Sequence, residues 1–350
     1  MSYERTQVKA YGAPASGVPL EPMVIERREV GGSDVLIAIE WAGICHSDIH
    51  TVNGDWGPQP FPVVPGHEIV GIVTEVGADV TAHRVGDRVG VGCLANSCRE
   101  CVNCERGEEQ FCLNGSVGTY AAPDRDGTST QGGYSTHVVV DEHFVLKVPE
   151  GLDPAAAAPL LCAGITTYSP LRKWGAGPGK QVAVVGLGGL GHMAVKLAHA
   201  MGAEVTVLSQ SLKKQEDAER LGADHYFATS DPDTLKQLAW RFDLIINTVS
   251  ADLDINSYLR MLAVDGALVN VGLPTAAFPI KPRSLIYGQH SVSGSMIGGI
   301  PQTQEMLDFC AEHGIGSEIE VIGADKINEA YERVIASDVR YRFVIDTSTL

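Results

Sequence analysis

Apolar residues in the first 150 positions come in short runs of β-branched side chains, separated by glycine and proline. Val35–Ile39 and Ile69–Gly77 are two such runs, and Val85–Gly92 has the pattern of a turn followed by a strand. Long helical periodicity is absent here, and residues 1–30 are typical of two strands joined by a turn. We therefore predict a mostly β domain, a barrel or a sandwich, for this part of the chain.

Beyond residue 180 the pattern changes to apolar strands that alternate with helical stretches. Gln181–Val185 and Glu204–Leu208 are predicted strands, and His192–Met201 between them has helical character. The alternation continues with strands at Leu244–Asn247, Leu268–Val271 and Ser291–Ser295 and a helix at Ile255–Ala263. This order predicts a doubly wound parallel sheet, so the fold class is α/β.

The segments outside these two regions predict helices and one closing strand. Leu152–Trp174 is rich in alanine and mostly helical in pattern, and we interpret it as the connection between the domains. Gln302–His313 and Ile327–Ser337 are predicted helices. Tyr341–Asp346 is a predicted strand, which we expect to return to the first domain.

A glycine-rich turn, Gly186-Leu187-Gly188-Gly189-Leu190-Gly191, lies between the first predicted strand and helix of the parallel sheet. Glycines at these positions let the backbone approach a pyrophosphate, and the start of the helix offers free N–H groups and a positive dipole end. An ordinary glycine-rich turn is the alternative. The second strand at the expected distance favours a dinucleotide site.

The end of that second strand indicates which dinucleotide binds. An acidic residue there would bond the ribose hydroxyls of NAD, but the sequence is Ser209-Gln210-Ser211-Leu212-Lys213-Lys214. Hydroxyl groups and lysines without a carboxylate suit the additional 2′-phosphate of NADP. A solvated helix start with ordinary lysines is the alternative, and we predict NADP(H) with contacts from Ser209, Ser211 and Lys214.

Four cysteines, Cys98, Cys101, Cys104 and Cys112, lie within one short polar segment. Four thiolates can close a tetrahedral shell around Zn²⁺, and a metal would order a loop that has no apolar core of its own. Two disulfides or four free thiols are the alternatives. Because the closed shell leaves no position for a substrate, we predict a structural zinc ion here.

A second group of possible metal ligands lies earlier, where Cys45 is followed by His67 and Glu68. Cys162 is a third soft ligand candidate far downstream, although a lone cysteine in an apolar segment is more often a small buried side chain. Two sulfurs and one imidazole suit a catalytic Zn²⁺ that keeps its fourth position open.

Composition and charge exclude several classes of function. The 350 residues are enough for two domains, with 44% hydrophobic and 20% charged residues. The formal net charge of −17 argues against nucleic-acid and anionic membrane partners. We find neither a secretory leader nor a long apolar run, so we expect a cytoplasmic protein without a membrane segment. Eight cysteines then indicate metal binding or catalysis before disulfides.

Together these motifs resemble the medium-chain, zinc-dependent alcohol dehydrogenase superfamily over nearly the whole chain. Finer details are similar to the cinnamyl alcohol dehydrogenase subfamily and its bacterial NADP-dependent aldehyde reductase relatives. The segments that carry the resemblance are Gly43–Asp48, Gly66–Gly71 with Gly77, the four clustered cysteines, Gln131–Tyr134, Ala158–Gly164, Gly186–Met193 and Asp338–Val344.

The resemblance implies a fold of two domains. A GroES-like, mostly β catalytic domain would take residues 1–154 and 295–350 and hold both zinc sites. A Rossmann NADP-binding domain would take residues 155–294. The family also implies a homodimer, formed through the edge strand near Ser291–Ser295.

For the catalytic zinc, the resemblance implies Cys45, His67 and Cys162 as ligands, with Glu68 beside the metal and able to ligate it transiently. Asp48 would accept the other N–H of His67 and fix its tautomer. Ser47 would pass the proton of the alcohol, and His50 would form the outer end of that relay. Without the resemblance, His50 is a surface histidine.

The resemblance also assigns cofactor contacts. It implies that NADP(H) contacts the turn residues Gly186, Gly188, Gly189, Leu190 and Gly191, together with His46, Thr166, Thr248, Val271, Gly272 and Ser295. With two zinc ions per chain, the implied reaction is the reversible oxidoreduction of primary alcohols and aldehydes. We expect aldehyde reduction with broad aromatic and aliphatic specificity.

The sequence departs from the plant members of the subfamily at two places. They carry a pocket tryptophan soon after the last clustered cysteine, whereas Leu113–Tyr120 contains none, which argues against a bulky phenylpropenyl substrate. At the second place, Gln210 replaces a serine that is common in the plant enzymes. Trp56 is an alternative residue for lining the pocket, and an exposed position or a position in the core is equally compatible with the sequence.

Three other functions stay open from the sequence alone. A zinc-free quinone reductase would not need Cys45, His67 and Cys162 together. An NAD-linked alcohol or polyol dehydrogenase shares the zinc, but Ser209–Lys214 argues against NAD. The third is a non-catalytic zinc protein with a structural or redox-sensing role.

Overall fold

The computed structural model describes residues 6–231, 233–274 and 277–350. The strands are β1 Thr6–Gly12, β2 Glu21–Arg27, β3 Asp34–Ile44, β4 Ile69–Val76, β5 Arg88–Val91, β6 Leu94–Asn96, β7 Val117–Gly118, β8 His137–Asp141, β9 Leu146–Lys147, β10 Gln181–Val185, β11 Glu204–Ser209, β12 His225–Ala228, β13 Phe242–Asn247, β14 Leu262–Asn270, β15 Ser291–Gly294, β16 Ile319–Ile322 and β17 Arg342–Asp346.

The helices are α1 His46–Asn53, α2 Val102–Glu105, α3 Pro154–Ala157, α4 Ala163–Lys173, α5 Gly191–Ala200, α6 Gln215–Arg220, α7 Thr234–Gln237, α8 Ile255–Leu259, α9 Pro282–Ile286, α10 Ile300–Glu312 and α11 Ile327–Ile335. Short 3₁₀ helices lie at Glu109–Phe111, Glu142–Phe144, Ala158–Leu161, Leu212–Lys214, Ala324–Lys326 and Thr347–Thr349.

The chain divides into two compact units. The first is Met1–Cys162 with Gly298–Leu350, and the second is Ala163–Ile297. The sequence-based boundaries lie at 154/155 and 294/295, so the structure assigns residues 155–162, including Cys162, to the first unit and residues 295–297 to the second. Residues 1–5, 232 and 275–276 of the predicted domains lie outside the described residues.

The first unit is built on a seven-stranded sheet. Its strands run in the order β16-β17-β3-β4-β5-β9, and β8 also pairs with β3. β17 pairs antiparallel with β3, with Phe343 opposite Ile44, so the predicted return of the last strand to the first domain is confirmed. In residues 6–150 the regular structure is mainly β-strand, with a few short helices, as predicted.

The burial of β3 follows from its sequence. Val35, Ile37 and Ile39 are fully or almost fully buried, whereas Leu36 and Ala38 between them are only partly so. Such alternation is typical of a strand with one face on the core. On the C-terminal part of the strand, Ala42 and Ile44 join a core cluster with Phe343 and with residues of α11.

The second unit contains the predicted parallel sheet, with strand order β12-β11-β10-β13-β14-β15. Val182–Val185 of β10 are buried without alternation, which fits a central strand covered on both faces. The predicted helix Ile255–Ala263 is too long, because the helix ends at Leu259. Leu262 instead begins β14 opposite Phe242, and both side chains are buried in one core cluster.

No helix in the described ranges is long and apolar enough to cross a membrane.

Candidate active site and metal centres

Cys45 lies at the junction between β3 and α1, in extended backbone conformation with φ −118° and ψ 153°. Its backbone N–H donates to Oδ2 of Asp48 at 2.8 Å, so the carboxylate closes the first turn of the helix. Gly54 ends the helix in the left-handed region, at φ +74°. Sequence reasoning missed this helix, although an acidic residue three positions after Cys45 and a glycine at its end were available signals.

His67 and Glu68 directly precede β4 and are 5% and 0% exposed. Oδ1 of Asp48 lies 3.0 Å from Nδ1 of His67. Because a carboxylate only accepts hydrogen bonds, Nδ1 is the donor in this contact, which leaves Nε2 as the nitrogen that can face a metal. The contact predicted between Asp48 and His67 is therefore present.

Cys162 follows the 3₁₀ helix Ala158–Leu161 and is 7% exposed. Its Sγ lies 4.0 Å from Sγ of Cys45. A disulfide needs sulfurs about 2.05 Å apart. Two ligands of a tetrahedral zinc ion, each about 2.3 Å from the metal, lie roughly 3.8 Å apart. The two thiols are thus spaced as metal ligands, and together with His67 and Glu68 they place four donor atoms within 4.8 Å of one another.

Glu68 provides a further test of whether a metal fits here. Its Oε1 accepts a hydrogen bond from Arg342, whereas its Oε2 is buried with no hydrogen-bond partner among the described residues. Burial raises the pKa of Glu68 to about 7, against the opposing charge of Arg342. A buried oxygen without a partner beside two sulfurs and an imidazole fits the donor set of a zinc site.

Arg342 is a site residue whose role sequence reasoning did not assign. The first residue of β17, it is 5% exposed, and Nη2 donates to the carbonyl of Ile44 at 2.8 Å as well as to Glu68. On the other side of Glu68, a Cβ at Gly43 would come within 2.0 Å of Oε2. The carboxylate therefore occupies a tight space, with its charge balanced by Arg342. A charged residue opening an apolar strand was the only signal in the sequence.

The residues predicted to relay protons lie on α1. Oγ of Ser47 is 3.5 Å from Sγ of Cys45, and His50 lies one turn further along the helix. Nδ1 of His50 contacts Oδ2 of Asp55 at 2.7 Å. Sequence reasoning missed Asp55, for which the only signal was an acidic residue just after the helix. Trp56, whose place the sequence left open, is 50% exposed with its ring 5.1 Å from that of His50.

The four clustered cysteines form the second metal candidate, and their sulfurs also lie within 4.8 Å of one another. Sγ of Cys104 is 3.9 Å from that of Cys98 and 3.5 Å from that of Cys101. Backbone N–H groups of Cys104 and Leu113 lower the pKa of Cys101 to about 6, which favours the thiolate that binds metal. All eight cysteines of the chain are free, so the disulfide alternative is not what the structure contains.

In the second unit, the glycine-rich turn joins β10 to α5. A Cβ at Gly191 would lie 2.1 Å from the carbonyl of Gly186, and Gly186 itself has φ +92°. Both positions therefore require glycine. A Cβ at Gly188 would meet no atom within 4 Å, so the turn is open at its crest. An open turn before the first N–H groups of α5 is a cradle that a pyrophosphate fits.

The other predicted cofactor residues are distributed around this turn and elsewhere. Nζ of Lys214 donates to the carbonyl of Leu187 at 2.8 Å, which brings the lysine to the turn. Oγ1 of Thr248 donates to the carbonyl of Val185 at the end of β10. Most of the remaining residues lie at the ends of strands and helices of the second unit. Gly189 and Leu190 precede α5, Ser209 ends β11, Ser211 precedes the 3₁₀ helix Leu212–Lys214, Val271 and Gly272 follow β14, and Ser295 follows β15. Thr166 is buried in α4, and His46 opens α1 in the first unit.

Comparison with known families agrees with this geometry. The family described as alcohol dehydrogenase GroES-like domain matches residues 31–150, and the family described as zinc-binding dehydrogenase matches residues 189–312.

The chain belongs to the zinc-binding alcohol dehydrogenases.

Among the relatives of this zinc-binding alcohol dehydrogenase is NADP-dependent alcohol dehydrogenase C 1 of Mycolicibacterium smegmatis, 64% identical over 98% of this chain and 99% of the relative. Aldehyde reductase YahK of Escherichia coli is 52% identical, again over 98% and 99%. A solved structure of cinnamyl alcohol dehydrogenase from Sorghum bicolor is 44% identical, with a TM-score of 0.95 over 98% of each chain. The predicted superfamily, the resemblance to its cinnamyl alcohol dehydrogenase subfamily and the predicted two-part fold class are thus confirmed.

Proposed function

We propose that this protein is a zinc-dependent, NADP(H)-linked dehydrogenase that interconverts primary alcohols and aldehydes, mainly by reducing aldehydes. One observation carries the proposal: Cys45, His67 and Cys162 come from separate segments of the first unit, yet their donor atoms converge beside the unpartnered Oε2 of Glu68. The names of the relatives, which include an NADP-dependent alcohol dehydrogenase and an aldehyde reductase, support the same reaction.

Two zinc ions per chain are part of the proposal, one for each group of donors. Cys45, His67 and Cys162 would hold the catalytic ion, and Glu68 would be close enough to join them. Cys98, Cys101, Cys104 and Cys112 would hold the structural ion. When bound, the catalytic zinc supplies a Lewis acid for the carbonyl oxygen, and NADPH supplies the hydride.

The residues of the second unit support NADP as the cofactor. The open crest at Gly188 and the start of α5 would receive the pyrophosphate. Lys214 and the hydroxyl groups of Ser209 and Ser211 would bind the 2′-phosphate. In domain terms, we propose that the first unit is the catalytic domain and the second is the NADP-binding domain.

The residues of α1 would move the proton. Oγ of Ser47 would give a proton to the oxygen of the reduced substrate and regain it through His50. The contact between Nδ1 of His50 and Asp55 would hold the ring, so that Nε2 is the nitrogen that passes the proton on toward Ser47. Because the His50 side chain is 38% exposed, solvent can reach it.

Broad specificity for aromatic and aliphatic aldehydes is the substrate proposal. Leu113–Tyr120 lacks the tryptophan of the plant enzymes, which argues against selection for a phenylpropenyl group.

The test is the rate of benzaldehyde and cinnamaldehyde reduction with NADPH and with NADH, before and after treatment with a chelator. Activity that prefers NADPH and is lost on chelation supports the proposal. Preference for NADH would replace NADP with NAD and favour the NAD-linked alternative. No turnover of either aldehyde by a protein that contains two zinc ions per chain would favour the non-catalytic alternative.

We further propose that the protein is a homodimer. β15 is the last strand of its sheet, and its residues Ser291 and Gly294 are exposed. An unpaired strand edge can continue into the same strand of a second copy. Exposed apolar side chains just before it, Ile286 at 71% and Tyr287 at 67%, support an interface there. Analytical ultracentrifugation should give the mass of two chains, and a monomer at micromolar concentration contradicts the proposal.

A cytoplasmic location is also proposed. Eight cysteines that are all free support a reducing compartment. Cell fractionation with an antibody tests this location, and recovery outside the cytoplasmic fraction contradicts it.

A further inference from the structure

A buried turn, Gln131–Ser135, lies in the first unit and has no part in the mechanism above. Arg27, only 7% exposed, donates four hydrogen bonds to this turn and the residues next to it. Nη1 bonds the carbonyl of Gln131 at 2.6 Å, Nη2 bonds the carbonyl of Gly132 and the hydroxyl of Ser135 at 2.8 Å each, and Nε bonds the carbonyl of His137 at 2.9 Å. The guanidinium therefore fixes the shape of the turn from one side.

The other side of the turn is joined to the segment that directly precedes His67. Three backbone hydrogen bonds make the connection: Gly132 N–H to Val64 at 2.7 Å, Tyr134 N–H to Pro65 at 3.0 Å and Gly133 N–H to Gly66 at 2.9 Å. The approach is close, since a Cβ at Gly132 would lie 2.4 Å from the carbonyl of Pro65. The turn is thus fixed relative to His67.

From this turn, the hydroxyl of Tyr134 donates to Oδ2 of Asp48 at 3.1 Å. The same carboxylate accepts from the backbone of Cys45 on Oδ2, and from Nδ1 of His67 and the backbone of Gly66 on Oδ1. Cys45 and His67 are candidate ligands, and Gly66 is the residue before His67. Tyr134, in contrast, comes from a different segment of the chain. Burial raises the pKa of Tyr134 well above its ordinary value, so the hydroxyl stays protonated and remains a donor.

We propose that Tyr134 is a positioning residue of the catalytic zinc site, which acts by holding the Asp48 carboxylate in the plane that points Oδ1 at His67. The inference rests on the proposed zinc site. The backbone N–H of Cys45, which also bonds Oδ2, belongs to the same segment as Asp48, whereas Tyr134 ties Oδ2 to a turn that is fixed separately. This second bond restricts rotation of the carboxylate, so Nε2 of His67 keeps its direction. A residue that orients the partner of a ligating histidine in this way strengthens metal binding without touching the metal.

The competing explanation is packing. Tyr134 is 0% exposed, and its ring lies under Gly66, where a Cβ would come within 2.6 Å of Cδ1. Tyr134→Phe separates the two roles because it removes the hydroxyl and keeps the ring. The matched control is Tyr258→Phe, the same change at a buried position of the second unit, 5% exposed.

The experiment measures the release of both zinc ions into excess chelator, together with the visible absorption spectrum after Co²⁺ replaces the catalytic zinc. We expect Tyr134→Phe to release one of the two ions about tenfold faster, near the low end of the effect of such outer partners. The Co²⁺ spectrum should change because the ligand field depends on the direction of His67. Release of the other ion should match the wild type, and Tyr258→Phe should change neither property.

Two outcomes overturn the inference. One is that Tyr134→Phe matches Tyr258→Phe in both measurements. The other is that it accelerates the release of both ions equally without a spectral change, as general destabilisation would. Failure of the proposed function is distinguishable, because a wild-type protein that binds only one zinc ion per chain has no catalytic zinc for Tyr134 to position.

Discussion

The two groups of candidate metal ligands in the first unit each hold their donor atoms within 4.8 Å of one another but are assembled in opposite ways. Cys98–Cys112 supplies four thiols from one short segment, and the backbone N–H groups of Cys98 and Leu113 bond two of the sulfurs at 3.4 Å. The active-site donors come instead from the end of β3, the loop before β4 and a 3₁₀ helix. The segment Cys98–Cys112, called the cysteine lobe here, is therefore a local structure, whereas the candidate active site requires a folded sheet.

The groups around the clusters differ as well. Behind the active site lie the buried charges of Asp48, Glu68 and Arg342, all at most 5% exposed. Buried charges are costly unless they are paired, so each must be oriented by the surrounding fold. One set of donors therefore lies within a single loop, whereas the other depends on charged groups that the surrounding fold must hold in place.

The largest expected effect is on catalytic activity, and it distinguishes the two groups of metal-ligand candidates. Cys45→Ser should lower kcat roughly a thousandfold, because several kcal/mol of charge stabilisation by the metal are lost. Circular dichroism and Tm should show a retained fold, and the zinc content should fall by one. Cys310→Ser, in the core away from both clusters, is the control and should keep its activity. Full activity of Cys45→Ser would remove the catalytic zinc from the proposal.

The next effect tests the buried charges. Arg342→Met leaves Glu68 without its partner and should cost about 3–5 kcal/mol of unfolding free energy. At about 2–4 °C per kcal/mol, Tm should fall by roughly 10 °C. Combining it with Glu68→Gln removes the unpaired charge and should restore a large part of the loss. Equal Tm values for the single and double variants would contradict the idea that charge pairing is the cause.

A smaller effect on stability is expected for the lobe. Cys101→Ser removes one ligand of a segment with little buried apolar surface, so the lobe should unfold locally rather than take the whole unit with it. Limited proteolysis should show new cleavage between Val102 and Leu113, with Tm lower by only a few degrees. A protease-resistant lobe that has lost its zinc would show that the metal does not order it.

The smallest effect concerns the proton relay. His50→Ala should slow turnover by roughly tenfold or less, below the usual range for direct acid–base catalysis, because water can replace an exposed relay. The pH profile of kcat should change at the same time. Asp55→Asn should have the same effect to a smaller degree. An unchanged profile in His50→Ala would exclude His50 from the relay.

Much of the fold could be predicted because its signals are local. The buried run Val182–Val185 before a glycine-rich turn indicates a central parallel strand, and the four clustered cysteines are readable from spacing alone. The helix α1 was missed because it is short, and only Ile49 and Val52 form its apolar face. The end of α8 was wrong because burial of Leu262 in the sheet overrode its helical periodicity.

The active site was only partly predictable for a related reason. Cys45, His67 and Cys162 were named together through the family resemblance, since composition alone favours Cys162 as a core residue. The pairing of Arg342 with Glu68 spans a separation of 274 residues, and no local pattern reports such a contact. Asp55 contacts His50 and Tyr134 contacts Asp48, and these partners become visible only in three dimensions.

The position of β17 in the first sheet has a consequence for biosynthesis. β17, Arg342–Asp346, lies between β16 and β3 in the sheet. The ribosome therefore synthesises β3 about three hundred residues before its neighbouring strand β17. The second unit is contiguous and can fold meanwhile, whereas the first cannot complete its sheet. A nascent chain that stalls before residue 342 therefore lacks both an inner strand of the first sheet and the counter-charge of Glu68.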